Sequence, residues 1–159
     1  MRIGFGYDVH PLILGRKLIL GGEVIPYQKG LDGYSDADVL IHSLIDALLG
    51  AAGEGDIGQH FPDNDEQYKN ISGLKLLENI YKILKRKKLN INNIDVSVVL
   101  EEPRIAPFIM KMKKNIAQVL KISSEKINIK ATTNEKMGFI GRREGAASYC
   151  VVSLNEYTD

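Results

Sequence analysis

The sequence predicts an α+β fold: a single domain with a mixed, mainly antiparallel sheet and helices packed on one face. Two patterns carry that expectation. Ile94, Val96, Val98 and Leu100 fall at every second position, the period of a long strand. Val39, Leu40, Ser43, Leu44, Ala47 and Leu48 recur at helical spacing. Such segments follow one another without a strict βαβα rhythm, which is the α+β arrangement. A chain of 159 residues suits one domain with a full core. It shows no repeat, linker or low-complexity tract, so residues 1–159 are read as one unit.

The elements follow in order. Residues 2–10 read as a glycine-bearing strand that ends in a turn at Pro11. Residues 17–20 form a second strand closed by Gly21-Gly22, and the two strands are expected to pair as a hairpin. Residues 26–34 are loop-like. Ser35-Asp36-Ala37-Asp38 has the form of a capping box and opens a helix that stops near Gly50 to Gly53. Residues 55–70 make a polar loop long enough to suggest a function. Ser72 caps a second helix reaching about Lys88, and residues 91–101 are a strand. Ala106 or Pro107 opens a third helix to about Lys121, and residues 127–132 are another strand. A glycine-punctuated loop from Asn134 to Gly145 leads into a last strand, Ala146 to Tyr157.

Bulk properties narrow the function. A net charge of +1 gives no strong pull toward nucleic acid or anionic membranes. No apolar run reaches the roughly 18 residues of a membrane span, and no signal-peptide pattern opens the chain. Cys150 has no partner for an internal disulfide, and reads as a small buried residue of the last strand in a reducing compartment.

The chain has three histidines, and two of them lie near acidic residues. Asp8 and His10 share one face of their strand, with Val9 expected to turn the other way into the core. His42 is expected about two turns into the first helix. Asp38 and Asp46 flank it at i−4 and i+4, where either could accept its free ring N–H. Asp, His and His form a three-ligand zinc set that leaves one tetrahedral position open, as catalytic sites do. The spacing alone also fits polar residues at a strand end beside a packed helix histidine. His60 reads as a loop residue, because a fourth protein ligand would close the site.

The stretch Ala131 to Arg142 holds hydroxyls, glycines, a lysine and an arginine after a strand end. Thr side chains and backbone N–H groups hold phosphate oxygens, and Arg142 could grip phosphate with two N–H groups. Glu135 has the wrong sign for phosphate unless it holds a hard cation such as Mg²⁺. An ordinary polar loop is the alternative. Residues 53–58 are not a Walker A loop. The basic run of residues 82–88 suits a helix C-terminus facing water.

Taken together, Gly6-Tyr7-Asp8-Val9-His10, Ser35-Asp36-Ala37-Asp38-Val39, His42, residues 46–51, Gly55-Asp56-Ile57-Gly58, Phe61-Pro62-Asp63, Lys130-Ala131-Thr132-Thr133, Glu135-Lys136 and Gly138-Phe139 resemble the 2-C-methyl-D-erythritol 2,4-cyclodiphosphate synthase family over essentially the whole chain. The resemblance implies a zinc- and magnesium-dependent phosphorus–oxygen lyase of the non-mevalonate isoprenoid route. The substrate would be 4-diphosphocytidyl-2-C-methyl-D-erythritol 2-phosphate. Its 2-phosphate attacks its own β-phosphorus, releasing CMP and a cyclic diphosphate. It implies a cytoplasmic homotrimer with active sites between subunits. Zn²⁺ would sit on Asp8, His10 and His42, and Mg²⁺ or Mn²⁺ on Glu135.

By the same resemblance, Thr133, Tyr34 and Asp56 occupy catalytic positions. Ser35, Asp56, Ile57, Gly58, Phe61, Asp63 and Asp65 match the methylerythritol side of the substrate site. Leu100, Pro103, Arg104, Ala106, Ala131, Thr132 and Thr133 match the CDP grip, and Lys136, Phe139 and Arg142 match further contacts. Arg142 and Glu144 match residues lining a central trimer channel that takes an isoprenoid diphosphate. One departure stands out: Tyr34 replaces the family's histidine before Ser35-Asp36, and a tyrosine hydroxyl carries no positive charge at neutral pH. Two other readings are a zinc-dependent phosphoester hydrolase and a non-catalytic trimer that binds isoprenoid diphosphate.

Overall fold

The computed structural model describes residues 1–156, so the expected end of the last strand at Tyr157 and the final residues of the unit 1–159 lie outside the described residues. The elements are β1 (Arg2–Leu14), β2 (Leu18–Leu20), β3 (Glu23–Ile25), β4 (Lys29–Leu31), α1 (Val39–Ala52), α2 (Ile57–His60), α3 (Gly73–Arg86), β5 (Leu89–Val99), α4 (Ile109–Leu120), β6 (Ile127–Thr132), α5 (Gly138–Gly141) and β7 (Gly145–Glu156). Five strands form one sheet in the order β4-β1-β7-β5-β6. Every neighbouring pair is antiparallel except β5 with β6, so the expected mixed, mainly antiparallel sheet is present.

α1 lies along β1 and β7, while α3 and α4 cover β5 and β6 and pack on each other. The apolar faces of these helices and the facing strand residues make one core, including Leu40, Leu44, Leu48, Leu77, Ile80, Ile116, Val96 and Val152. The opposite face of the sheet is touched by α5 at its Gly145 end, where a Cβ on Gly145 would stand 3.3 Å from the Phe139 ring. Over β1 and β7 it presents Ile3, Phe5, Tyr7, Val9, Tyr149 and Val151, all exposed. Val9 therefore does not turn into the core. In β1 the helix-facing row is Gly4, Gly6, Asp8, His10 and Leu12, so Val9 belongs to the bare apolar face.

Several local expectations are corrected by long-range pairing. Pro11 does not end the first strand. At this point β1 changes partner from β7 to β4, with Pro11 opposite Gly145 and Leu12 opposite Leu31. Proline is tolerated at such a change because no ladder N–H is demanded there. The strand turns only at Gly15, whose φ of 81° suits glycine. β2 pairs with β3, not β1, across a two-residue turn in which Gly21 and Gly22 have φ of 57° and 71°. Both values lie in the left-handed region that the tightest hairpin turn requires. β4 occupies part of the stretch expected to be loop.

The first helix starts at Val39, not Ser35, because Ala37 has φ 55° and breaks any continuous turn. Its N-cap is Asp38, which accepts from Ile41 N–H. Ser72 caps α3 as expected, and Gly53 ends α1 in a left-handed conformation. The long polar loop contains α2 and a single 3-10 turn at Glu66–Tyr68.

Candidate metal centre and active site

Two glycines decide how close α1 comes to β1. A Cβ on Gly4 would stand 1.9 Å from the Ala47 carbonyl oxygen, and one on Gly6 would stand 1.9 Å from the Ser43 oxygen. The helix backbone thus rests directly on the strand backbone. Asp8 and His10 continue the same row, and His42 is the next helical position above them. It sits in the first turn of α1 and not two turns in.

Three ligand atoms converge there. Asp8 Oδ2 lies 3.0 Å from His10 Nε2 and 3.1 Å from His42 Nδ1, and the two ring nitrogens are 3.2 Å apart. Each ring has its other nitrogen anchored. His10 Nδ1 donates to the Asp32 carbonyl at 2.8 Å, which leaves a lone pair on Nε2. His42 Nε2 meets Ser35 Oγ at 3.1 Å, and the same hydroxyl accepts from Ala37 N–H at 3.3 Å, so His42 presents Nδ1 to the cluster. Two ring lone pairs and a carboxylate facing one another repel unless a proton or cation lies among them.

The triangle suits a small cation. Zinc bonds of about 2.0–2.1 Å imply tetrahedral edges of roughly 3.3–3.4 Å, close to the three separations observed. Two imidazoles in three donors suit zinc or a similar transition ion better than magnesium or calcium. Electrostatics agree. Burial alone would raise the Asp8 pKa, but hydrogen bonds and charge from His10 and His42 bring it below the usual carboxylate value. Burial lowers that of His10, yet the bond to Asp8, the Asp8 charge and the Asp32 carbonyl outweigh it and leave it raised; Arg16 pulls the other way.

The expected carboxylate partners of His42 do other work. Asp38 is fully buried and accepts from Gly21, Gly22 and Ile41 N–H groups, tying the β2–β3 turn to the start of α1. Burial and neighbouring Asp36 push its pKa up to about 7, against the pull of those three donors. Asp46 accepts from Ile57 N–H at 2.8 Å and so positions α2. Burial raises its pKa. Helical spacing placed both carboxylates near His42, but buried backbone N–H groups nearer to each claimed them.

The cluster opens on a cavity of about 560 Å³ lined by Asp8, His10, Gly33, Tyr34, Ser35, His42, Ile57, Gly58, Phe61, Pro62, Asp63, Asn64, Tyr68 and Leu76. Sequence reasoning named most of these residues. It missed Gly33, Asn64, Tyr68 and Leu76. The Gly4-x-Gly6 spacing ahead of Asp8 and His10 is the sequence signal for the close helix. Asp56 stands at the margin, capping α2 and accepting from the backbone and side chain of Gln59. Asp65 caps the 3-10 turn and bonds Gln67. His60 Nε2 donates to the Glu54 carbonyl at 2.8 Å, and the residue does not join the cluster.

A second cavity of about 490 Å³ gathers Leu100, Glu101, Glu102, Pro103, Arg104, Ile105, Ala106, Ala131, Thr132 and Thr133. Its position relative to the Asp–His–His cluster follows from register. Asp8, Ser148, Val98 and Ala131 lie in one lateral row across β1, β7, β5 and β6. Three strand spacings of about 4.8 Å put Ala131 roughly 14 Å from Asp8. Glu135 is exposed beyond β6, within 3.4 Å of Thr133 Oγ1, and outside the Asp8–His10–His42 cluster. Lys136 and Phe139 are exposed, and Arg142 is held by two bonds to Glu144 at 2.9 and 3.0 Å. The single chain thus separates the expected site residues into two groups.

Fold and site together define a single-domain α+β protein whose Asp–His–His cluster lines a cavity, a candidate metal-binding domain. Comparison with known proteins gives the family. The YgbB family profile matches residues 1–155. A 2-C-methyl-D-erythritol 2,4-cyclodiphosphate synthase from Desulforamulus reducens is 54% identical, over 98% of this chain and 99% of its own. One from Alkaliphilus metalliredigens is 55% identical over 98% of both chains. The bifunctional IspDF from Campylobacter jejuni superposes with a TM-score of 0.94 at 44% identity; it covers 98% of this chain, which spans only 42% of that larger one. IspF from Plasmodium falciparum in complex with CDP superposes with a TM-score of 0.87 at 32% identity, over 99% of this chain and 97% of its own. The chain belongs to the YgbB family, the family of the 2-C-methyl-D-erythritol 2,4-cyclodiphosphate synthases.

Proposed function

We propose that this chain converts 4-diphosphocytidyl-2-C-methyl-D-erythritol 2-phosphate to 2-C-methyl-D-erythritol 2,4-cyclodiphosphate and CMP, as a zinc- and magnesium-dependent lyase of isoprenoid biosynthesis in the cytoplasm. The observation that carries the reading is the convergence of Asp8, His10 and His42 at the mouth of the larger cavity. These three residues would hold Zn²⁺, which supplies Lewis acidity to a phosphate oxygen when bound. Glu135 would hold a Mg²⁺ or Mn²⁺ ion.

The nucleophile and leaving group both belong to the substrate, so the protein's work is positioning and charge compensation. Ile57, Gly58, Phe61 and Leu76 offer an apolar wall for the methylerythritol chain, and Asp63 offers acceptors for its hydroxyls. Asp56 at the margin is placed for the same hydroxyls. Tyr34 lines the same cavity and would donate one hydrogen bond to a phosphate oxygen. The second cavity, with backbone groups of residues 100–106 and 131–133, suits the cytidine end. Thr133 would steady the reacting diphosphate, with Lys136, Phe139 and Arg142 nearby. For Arg142 to grip phosphate it must first give up Glu144.

The roughly 14 Å between the two groups and the bare apolar face over β1 and β7 are accounted for together by a homotrimer. Copies of the chain would cover Phe5, Tyr7 and Tyr149, and would bring the second group of one subunit to the first group of its neighbour. Arg142 and Glu144 would then line a central channel able to take an isoprenoid diphosphate. An exposed apolar patch of this kind is a usual mark of association.

Phosphorus NMR of the purified protein with substrate, zinc and magnesium tests the reading. Equal growth of the cyclic diphosphate and CMP signals is the expected result. Linear phosphate release, or no turnover, would overturn it. Sedimentation gives the mass of the assembly, and a monomer would remove the shared-site arrangement.

A further inference from the structure

We propose that Arg16 is a positioning residue of the metal centre, holding the segment of residues 32–35 that fixes the outer nitrogens of both His10 and His42. The inference rests on the metal-binding reading above and adds a residue that touches neither metal nor substrate. Arg16 follows Gly15 in the turn between β1 and β2. Its side chain is half-buried, 28% exposed. One terminal nitrogen donates to Asp32 Oδ1 at 2.8 Å and to the Gly33 carbonyl at 3.0 Å, and the other donates to the Ser35 carbonyl at 2.9 Å.

That segment belongs to no helix or strand, so its shape depends on such bonds. All four of its carbonyls are engaged: Asp32 by His10, Gly33 and Ser35 by Arg16, and Tyr34 by the Asn70 N–H at 2.9 Å. It presents the Asp32 carbonyl to His10 Nδ1 and the Ser35 hydroxyl to His42 Nε2. It also lies tight on the first ring, since a Cβ on Gly33 would stand 2.9 Å from His10 Cε1. Between those two contacts is Tyr34, a wall of the cavity. One planar fork thereby sets two ring orientations at once. A lysine, a point charge on a flexible stem, has no equivalent geometry. Groups that orient metal-ligating histidines typically change metal affinity 10–100-fold when lost.

The test is zinc affinity, measured by competition with a chromogenic chelator, for the full chain and its variants. Alongside it, the visible spectrum of the cobalt-loaded protein and the melting temperature of the metal-free protein are recorded. Arg16→Ala is expected to bind zinc at least about tenfold more weakly and to show an altered cobalt spectrum. Arg16→Lys should recover only part of the affinity. Asp32→Ala removes one acceptor but keeps the carbonyl, and should stay near wild type. If Arg16→Ala does not fold, Arg16→Gln carries the comparison, with weakened binding again expected. Wild-type protein that binds zinc while a folded Arg16 variant matches it within twofold, with the same cobalt spectrum, overturns this inference and leaves the metal reading standing. Wild-type protein that binds no zinc overturns both.

Discussion

Replacing Gly6 by alanine should pull apart the Asp8–His10–His42 cluster without touching any of its three side chains. The added Cβ would lie 1.9 Å from Ser43 O and 2.7 Å from Ala47 N, where real Cβ contacts under 3.0 Å are essentially absent. Both obstructions are helix backbone, so no side chain can swing aside. α1 must lift, or β1 must bow, by about 1 Å or more to restore ordinary contact. Asp8 is two residues along the same strand and His42 is one residue before Ser43, so the same displacement separates them. Their 3.1 Å separation would grow toward about 4 Å, too wide for a shared tetrahedral zinc. Overpacking of this kind costs about 1–3 kcal/mol, and a backbone obstruction belongs at the upper end. Urea unfolding of metal-free protein and zinc competition titration measure the two effects. Gly50→Ala is the control on the same helix. Its Cβ would have only Phe5 O near it, at 3.9 Å, and removing a helical glycine should add about 0.5–1 kcal/mol. A Gly6→Ala protein within about 0.5 kcal/mol of wild type, with unchanged zinc affinity, would refute the reasoning.

Asp38→Asn should destabilise the metal-free protein by about 1–3 kcal/mol at low pH, because an amide cannot serve all three buried N–H donors. The folded pKa of Asp38, about 7, stands above the usual carboxylate value, so wild-type stability from this group is full near pH 4 and lost as pH rises to 7. The gap between wild type and variant should therefore narrow over that window in chelator-treated samples; a gap independent of pH would count against it. Cys150 is fully buried, and burial pushes its thiol pKa up, so native protein should react with a disulfide reagent far more slowly than urea-unfolded protein. Equal rates would contradict the placement. Tyr34→His should raise turnover if a cationic contact to phosphate is what the tyrosine lacks, and steady-state kinetics showing unchanged or lower kcat would argue otherwise.

Much of this molecule is legible in its sequence because the signals are local. Alternation in residues 91–101, the helical stripe from Val39 to Leu48, and the Ser72 cap all correspond to elements in place. The i, i+2 spacing of Asp8 and His10 put both on one face, and His42 joins them. The motifs that placed the chain in its family are likewise short runs, intact in the linear order.

What local signals left undecided is who claims each polar group, and which face of a strand is inside. Ser35 looked like a cap, yet its hydroxyl serves His42 while Asp38 caps the helix. Asp38 and Asp46 looked like partners of His42, yet backbone N–H groups from Gly21, Gly22 and Ile57 hold them. Val9 looked like core, yet it lies on an uncovered sheet face. The sequence by itself determined the long helices and strands, the residue types of the Asp8–His10–His42 cluster and the family. Only the tertiary structure decided the hydrogen-bond partners and the two-group division of the site. The physical reason is that a buried N–H must be paired and takes whichever acceptor the packing brings near, and residues far apart in the chain meet only once α1 has settled on the glycines of β1.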